Sequence, residues 1–187
     1  MTGQSWSCGL LIAVALAGQP GGRERAAVRK LAVGVDLSRG ELQVRIDGRI
    51  TARYPVSVGK ADYRTPVGSY RLSKVIWNPS WVPPDGKWAE NAEPKGPREP
   101  GNPMGRVKIF FAPELYIHGT PATGTLGEPA SHGCIRLSNR DAMRLARLVM
   151  DYGGARKGPA WLARVQRDEK QTYEVNIPNP PLLEITQ

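Results

Sequence analysis

The sequence predicts a mainly β domain, and two observations carry this prediction. The 187-residue chain contains 21 glycines and 17 prolines, a content that favours short strands joined by turns over a helical bundle. Along several short segments, apolar and polar residues alternate with the period of two that is typical of half-buried strands. The length suffices for one domain with a buried core and short terminal extensions.

The N-terminal segment is predicted to be an export signal. Its apolar run ends in Ala15-Leu16-Ala17, a pattern typical of signal-peptide cleavage, although no Lys or Arg precedes it. Cleavage there would remove Cys8 and leave Cys134 as the sole cysteine of the mature chain. The predicted organisation is a signal peptide over 1–17, a linker over 18–30, a catalytic domain over 31–167 and a C-terminal tail over 168–187.

Strands are expected through the first part of the domain. The segments 31–37 and 41–46 alternate in polarity on either side of Ser38-Arg39-Gly40, which predicts a β-hairpin. Further strands are predicted over 50–58, 70–76, 106–111 and 115–117.

Residues 77–105 are expected to form a long ordered loop beside the functional site. Their many prolines lack the N–H group that a strand ladder requires. Long irregular loops in compact domains are usually functional or disordered, and three tryptophans argue against disorder. Trp77, Trp81 and Trp88 would either pin the loop to the core or contact a substrate.

One helix is predicted after the cysteine. Ser138 is a suitable N-cap, and Gly153-Gly154 is a suitable end. The apolar face of this helix comprises Ala142, Leu145, Leu148, Val149 and Tyr152. One or two more strands are expected over 161–165 and 172–177, and residues 178–187 are expected to be loosely held.

The chemistry-bearing residues cluster between 118 and 136. Both histidines of the chain, His118 and His132, lie near Cys134 and Arg136. A free thiol has a pKa of about 8.5, so attack on an amide at neutral pH requires a nearby base or positive charge. His118 can supply the base and Arg136 the charge, which predicts a cysteine acyl-transfer site.

Glycines flank the predicted reactive groups. Gly119 and Gly133 allow the backbone to approach a reacting carbonyl. The N–H groups of Gly133 and Cys134 would then stabilise the oxyanion. His132 would order the site or hold substrate, although its position also leaves it open as the base.

Other function classes compete with this prediction. His118, His132 and Cys134 are also suitable zinc ligands, with water as a fourth. An inactive wall-binding module is the third class, and the net charge of +9 would draw an exported protein to anionic polymers. Export and the lack of a groove-reading motif argue against nucleic acid.

Five ordered motifs resemble the L,D-transpeptidase catalytic domain, also called the YkuD domain, in the envelope type of the ErfK/YbiS/YcfS/YnhG group. The motifs cover roughly residues 31–161 in one order. They are Thr65-Pro66-Val67-Gly68, the NPSW segment at 78–81, the GNPMG segment at 101–105, His118-Gly119-Thr120, and SHGCIRLSN at 131–139. A sortase-like enzyme also uses His, Cys and Arg, but the blocks around Pro66 and Pro103 argue against it.

The resemblance implies a β-sandwich-like domain whose cysteine attacks the amide between an L-centre and D-alanine of a peptidoglycan tetrapeptide stem. Carried over by position, Cys134 is the nucleophile and His118 the base, and the Gly119 carbonyl orients the imidazole. The residues implied to line the site are Ser131, His132, Gly133 and Arg136. Arg136 is then a partner for a substrate carboxylate.

The same resemblance implies no metal or other cofactor and a periplasmic or cell-envelope location. Peptidoglycan stem peptides are the implied partners, with an envelope lipoprotein as an alternative acyl acceptor. If water accepts the acyl group, the enzyme is an L,D-carboxypeptidase. A stable membrane span is not expected, because the apolar run is too short.

Overall fold

The computed structural model describes residues 1–2 and 29–187. The predicted signal peptide and most of the predicted linker therefore lie outside the described residues. Within them, strands dominate and two α-helices follow the cysteine. The strands are β1 (Leu31–Asp36), β2 (Glu41–Ile46), β3 (Arg49–Pro55), β4 (Val58–Gly59), β5 (Gly68–Arg71), β6 (Lys74–Trp77), β7 (Val107–Ala112), β8 (Leu115–Thr120), β9 (Pro129–Ser131), β10 (Ile135–Ser138), β11 (Tyr173–Asn176) and β12 (Leu182–Thr186). The helices are α1 (Asn139–Tyr152) and α2 (Pro159–Arg167).

Most strands belong to two five-stranded sheets. The first has the order β3-β2-β1-β12-β5, and the second has the order β10-β8-β7-β6-β11. β4 and β9 form a separate two-stranded pair beside the second sheet. The predicted hairpin is confirmed, since β1 and β2 pair antiparallel with Val35 opposite Leu42.

The core is built from alternate residues of both sheets. Val33 and Val35 of β1 are buried, as are Val107 and Ile109 of β7, and all belong to one apolar cluster. A buried Leu183 or Ile109 is stabilised because its apolar surface is removed from water, by about 25 cal/mol per Å². The mainly β, sandwich-like prediction is confirmed.

Helix α1 forms where the sequence predicts it. The Asp141 N–H donates to the Ser138 hydroxyl at 3.1 Å, which satisfies one of the free donors at the helix start. At the other end, the Gly153 N–H donates to the Val149 carbonyl. The buried face packs on β7, β8 and β10, so the helix holds the second sheet from its core side.

The prediction of a strand over 161–165 is wrong, because these residues lie in α2. Pro159 occupies the first turn of the helix, where its missing N–H costs nothing. Trp161, Leu162 and Val165 then share a face with helical spacing and pack on the core. In a short apolar run, helix and strand spacing are hard to distinguish.

The single strand predicted over 70–76 is two strands in different sheets. β5 pairs with β12 in the first sheet, and β6 pairs with β7 in the second. The chain crosses at Leu72 and Ser73, whose N–H groups donate to Pro181 and Phe110. Continuous apolar alternation does not reveal such a change of sheet.

The loosely held tail predicted after residue 178 is also wrong. β12 lies inside the first sheet, parallel to β1 and antiparallel to β5. Leu183 and Ile185 are buried in the core. The strand predicted over 172–177 is confirmed as β11, which pairs with β6.

Neither helix of the described residues is long and apolar enough to span a membrane.

Candidate active site

Strand register brings the predicted site residues together on the second sheet. Arg136 of β10 is the register partner of His118 in β8, and Lys108 of β7 is the partner of His118 on its other side. Side chains opposite one another in a sheet point to the same face. Cys134 lies just before β10, two residues from Arg136, at the same end as Tyr116 of β8.

The His118 ring is held neutral and in one orientation. It is 1% exposed, and burial lowers its pKa to about 4. Its Nδ1 lies 2.8 Å from the Gly119 carbonyl oxygen. Because a carbonyl only accepts, Nδ1 must carry the proton, which leaves Nε2 as the free lone pair of the neutral ring. A neutral imidazole in this tautomer can act as a base.

Close backbone packing fixes the carbonyl that orients this ring. The Asn139 side-chain oxygen accepts from the Arg106 N–H at 2.8 Å. A Cβ at Gly119 would lie 2.3 Å from that oxygen, and a Cβ at Gly105 would lie 2.2 Å from it. Only glycine therefore fits at both positions, and Asn139 couples the start of α1 to the strand that carries His118.

The Cys134 thiol is partly buried and protonated at rest. Burial raises its pKa, while the Tyr116 N–H and the nearby Arg136 and Lys108 charges act in the opposite direction. Desolvation disfavours the charged form of the thiol. This effect is larger than the others combined, so the pKa is raised overall. The thiol donates to the Glu114 carbonyl at 3.8 Å, and within the described residues it makes no hydrogen bond to His118. Proton transfer to a base must therefore accompany attack.

The turn before Cys134 is fixed by Ser131. The Ser131 hydroxyl donates to the Cys134 carbonyl and accepts from the Gly133 N–H at 3.2 Å. Ser131 is fully buried, so its hydroxyl shapes the turn and does not face the open site, contrary to its expected place in the lining. Of the two expected oxyanion donors, the Gly133 N–H is thus occupied, whereas no side chain of the described residues accepts from the Cys134 N–H.

Thr65 also positions the cysteine turn, a role that the sequence prediction missed. Its buried hydroxyl donates to the Gly133 carbonyl at 2.9 Å and accepts from the Gly59 N–H at 2.9 Å. Thr65 is the first residue of the Thr65-Pro66-Val67-Gly68 motif, so the sequence did single it out. A motif does not, however, reveal which groups its side chain contacts. No sequence signal could have identified Tyr116, because its contribution comes from the backbone.

His132 lies in an aromatic stack. Its ring is parallel to Trp88 at 3.9 Å between centroids and meets the edge of Tyr63 at 4.7 Å. Burial lowers its pKa, with Lys60 and Arg136 adding to the effect. Its Nδ1 is buried and has no hydrogen-bond partner among the residues that the structure describes.

This stack connects the long loop to the site, as predicted. Trp88 is 40% exposed, whereas Trp77 lies in β6 and is fully buried, with its N–H near the Met150 sulfur at 3.3 Å. Trp81 is bridged to Lys95 by two backbone hydrogen bonds. One of the three tryptophans therefore borders the site, one fills the core and one braces the loop.

Arg136 has no acidic partner among the described residues. Its guanidinium donates to the Ala130 carbonyl at 3.2 Å, and its backbone exchanges two hydrogen bonds with Ser57. Burial lowers its pKa, but a guanidinium remains charged near neutral pH. It can therefore offer a fixed positive charge to an anionic ligand.

The described part of the chain contains no cluster of side chains that could bind zinc. A site would need His118, His132 and Cys134 to converge, and no group of three suitable side chains does so there. His132 is instead stacked between aromatic rings, and the His118 Nδ1 is bonded to a carbonyl.

Comparisons with known proteins agree on one family. The family model for the L,D-transpeptidase catalytic domain, YkuD, matches residues 31–172. A Bacillus subtilis protein named as an L,D-transpeptidase, YkuD, is 28% identical over 118 residues, which are 63% of this chain and 59% of that protein. An Escherichia coli protein named as an L,D-transpeptidase, YbiS, is 33% identical over 94 residues, which are 46% of this chain and 31% of the relative. The chain thus spans only part of the length of these relatives.

Solved structures show the same fold. The crystal structure of L,D-transpeptidase 3 from Mycobacterium tuberculosis aligns with a TM-score of 0.55 at 20% sequence identity. The alignment covers 85% of this chain and 62% of that chain. The family-model match over residues 31–172, which is more than half of the chain, shows that the chain belongs to the L,D-transpeptidase catalytic domain family.

Proposed function

We propose that this protein is a peptidoglycan L,D-transpeptidase, an enzyme that uses Cys134 as its nucleophile. The observation that carries the proposal is the tautomer of His118. The ring is buried and neutral, and its Nδ1–H donates to the Gly119 carbonyl. Its unprotonated Nε2 is then free to accept a proton, and β8, which carries His118, pairs with β10, which follows Cys134. In this arrangement, a carbonyl takes the orienting role that a carboxylate has in other triads.

The proposed first step is acylation of Cys134. The His118 Nε2 accepts the Cys134 proton as Sγ attacks the carbonyl of the L-centre in a tetrapeptide stem. The Cys134 N–H is available for the developing oxyanion, and the Tyr116 N–H supports the sulfur. The C–N bond then breaks, His118 returns the proton to the leaving amine, and D-alanine departs from a thioester.

The thioester is next transferred to an amine. His118 takes a proton from the attacking amine, the C–S bond breaks, and the thiol is regenerated. A second stem peptide is the proposed acceptor, and a lipoprotein lysine is the alternative. Arg136 is proposed to bind a substrate carboxylate and His132 to hold substrate through its stacked ring.

The proposed site of action is the periplasm or cell envelope, after export directed by residues 1–17. The substrate is external to the cytoplasm, and the positive net charge of the chain, +9, favours contact with an anionic wall. No cofactor enters the proposed reaction.

The test is intact-mass spectrometry of the protein mixed with a disaccharide-tetrapeptide, alongside product analysis. We expect an acyl adduct on Cys134, release of D-alanine and a cross-linked dimer. The Cys134→Ala variant is expected to give none of these, because the sulfur forms the covalent bond. Conversion to tripeptide without a dimer would instead indicate an L,D-carboxypeptidase.

Release of D-alanine that persists in Cys134→Ala would overturn the proposal. A useful second variant is Ser131→Ala, which removes the hydrogen bonds that shape the turn but leaves the sulfur in place. It should slow adduct formation without abolishing it.

A further inference from the structure

The outer face of the second sheet carries a row of cations and aromatic rings that extends away from Cys134. We call this row the cationic strip and define it as Lys74, Lys108, Phe110 and Tyr116. Phe110 is the register partner of both Tyr116 and Lys74, and Lys108 lies two residues from Phe110 on β7. The four side chains therefore share one face.

The aromatic rings of the strip support its cations. The Lys108 Nζ lies 4.8 Å from the centre of the Tyr116 ring and 5.4 Å from that of Phe110. The Lys74 Nζ lies 4.5 Å from the centre of the Phe110 ring. Tyr116 and Phe110 meet edge to face at 4.6 Å, so the strip is a continuous packed surface.

The two lysines differ in their charge partners. Lys74 forms a salt bridge with Glu174 at 3.5 Å. Within the described residues, Lys108 forms no salt bridge, although it is partly buried, and burial lowers its pKa. A partly buried charge without a counterion is costly unless a ligand supplies one.

Arg136, two residues from Cys134, is likewise partly buried and has no acidic partner among the described residues. Two partly buried cations, without acidic partners among the described residues, thus lie near one nucleophile. Arg136 lies on β10 and Lys108 lies on β7, and only β8 separates these two strands. At the usual spacing of strands in a sheet, β10 and β7 are about 10 Å apart. An extended peptide spans this distance with about three residues.

We propose that Lys108 is a specificity-determining residue that binds a carboxylate of the acyl-donor peptide, while Arg136 binds a second one. This inference rests on the proposed function and deepens it, because it selects donors with two free carboxylates. The two carboxylates meant are those nearest the scissile amide, one on the terminal D-alanine and one on the diaminopimelate side chain. The Phe110 and Tyr116 rings would contact the aliphatic part of that side chain.

The first test needs no peptidoglycan. Iodoacetate and iodoacetamide alkylate the same thiolate and differ in charge, so the ratio of their rates reports the local potential. Mass spectrometry of the Cys134 peptide gives this ratio for the full chain. In Lys108→Met, we expect the iodoacetate preference to fall by about threefold or more, as expected for the loss of one charge at this range.

The matched control is Lys157→Met. Lys157 also lies over an aromatic ring, with Nζ 5.9 Å from the Trp161 centre, but it precedes α2 and is not among the charges that shift the pKa of Cys134. This variant changes the net charge equally and should leave the ratio unchanged. An equal fall in both variants, or no fall in Lys108→Met, would overturn the inference whether or not the protein is a transpeptidase.

The second test compares three tetrapeptides: the free acid, the terminal D-alanine amide and the diaminopimelate side-chain amide. We expect the wild-type protein to discriminate against both amides through KM, and Lys108→Met to lose one of these two penalties. The amide whose penalty disappears identifies the carboxylate that Lys108 binds. If Lys108→Met keeps both penalties, the inference fails. If the wild-type protein releases no D-alanine at all, the proposed function fails, and the alkylation ratio still decides the role of Lys108.

Discussion

At the scale of single residues, the site depends on the state of His118. Its ring is buried beside a positively charged neighbourhood, and desolvation lowers its pKa to about 4. The Gly119 carbonyl fixes the proton on Nδ1. The residue is therefore already in the state that a general base requires at neutral pH, whereas the Cys134 thiol is not yet ionised.

The first prediction concerns stability against pH. In the unfolded chain, His118 has its ordinary pKa near 6.5, so between pH 6.5 and about 4 the unfolded state binds a proton that the folded state refuses. Stability is therefore complete above 6.5 and is lost as the pH falls. From pH 7.5 to 4.5, His118 should account for about 2 to 3 kcal/mol of lost unfolding free energy, measured by urea titration.

The comparison for this prediction is His118→Gln, which should lose less stability than the wild type over the same pH range. His132→Gln is the control, because His132 is only half-buried and should change the pH slope less. Equal pH dependence in the wild type and His118→Gln would contradict the assignment of a buried neutral ring.

The second prediction tests the backbone behind the ring. Gly119→Ala places a Cβ 2.3 Å from the Asn139 side-chain oxygen, so either Asn139 or β8 must shift. We expect a loss of about 1–3 kcal/mol in unfolding free energy, together with loss of activity. Gly124→Ala is the matched control, since a Cβ there meets nothing within 4 Å. Equal stability of the two variants in thermal unfolding would refute the packing argument.

At the scale of elements, the cysteine turn is held by a segment far away in the chain. Thr65, after β4, accepts from Gly59 and donates to Gly133, and so joins two loops that local sequence cannot relate. β4 also pairs with β9, directly before the turn. The position of Cys134 thus depends on β4, β9 and β10 together.

The third prediction follows for Thr65. Thr65→Val keeps the shape but removes both hydrogen bonds and leaves the Gly133 carbonyl unpaired, which should cost about 1–3 kcal/mol. Because the cysteine turn would shift, kcat should fall more than KM rises. Thr65→Ser retains the hydroxyl and should restore most of both properties. If Thr65→Ser restored neither stability nor kcat, the methyl group of Thr65 would be the important part of the side chain instead.

At the scale of the whole molecule, the C-terminal strand completes the fold. β12 lies between β1 and β5, and the first sheet would be divided without it. Its partners are more than a hundred residues away in the sequence, so distant segments close one sheet. The folded sheet therefore includes residues 182–186.

The fourth prediction tests this closure. Leu183→Ala removes a fully buried side chain from the core and should cost about 2–5 kcal/mol in unfolding free energy. Glu184→Ala changes the adjacent exposed residue of the same strand and should cost far less. If chemical denaturation gave equal values for both variants, residues 182–186 would be the loose tail that the sequence suggests.

Local patterns in the sequence determined much of the fold and the membership of the site. The alternation in 31–46 predicted the first hairpin, and Ser138 with Gly153 bounded α1, because caps and periodicity act over a few neighbouring residues. The motifs around His118 and Cys134 identified the candidate site, since the residue types that the proposed chemistry needs lie close together in the chain.

Tertiary structure decided what depends on distant partners. The pairing of β12 with β1, the crossing between sheets at Leu72 and the bond from Thr65 to Gly133 join residues that no local pattern relates. The protonation states also required the fold, because burial lowers the pKa of His118 and raises that of Cys134. Sequence alone therefore determined which groups can react, while packing and desolvation decided the state in which each group is held.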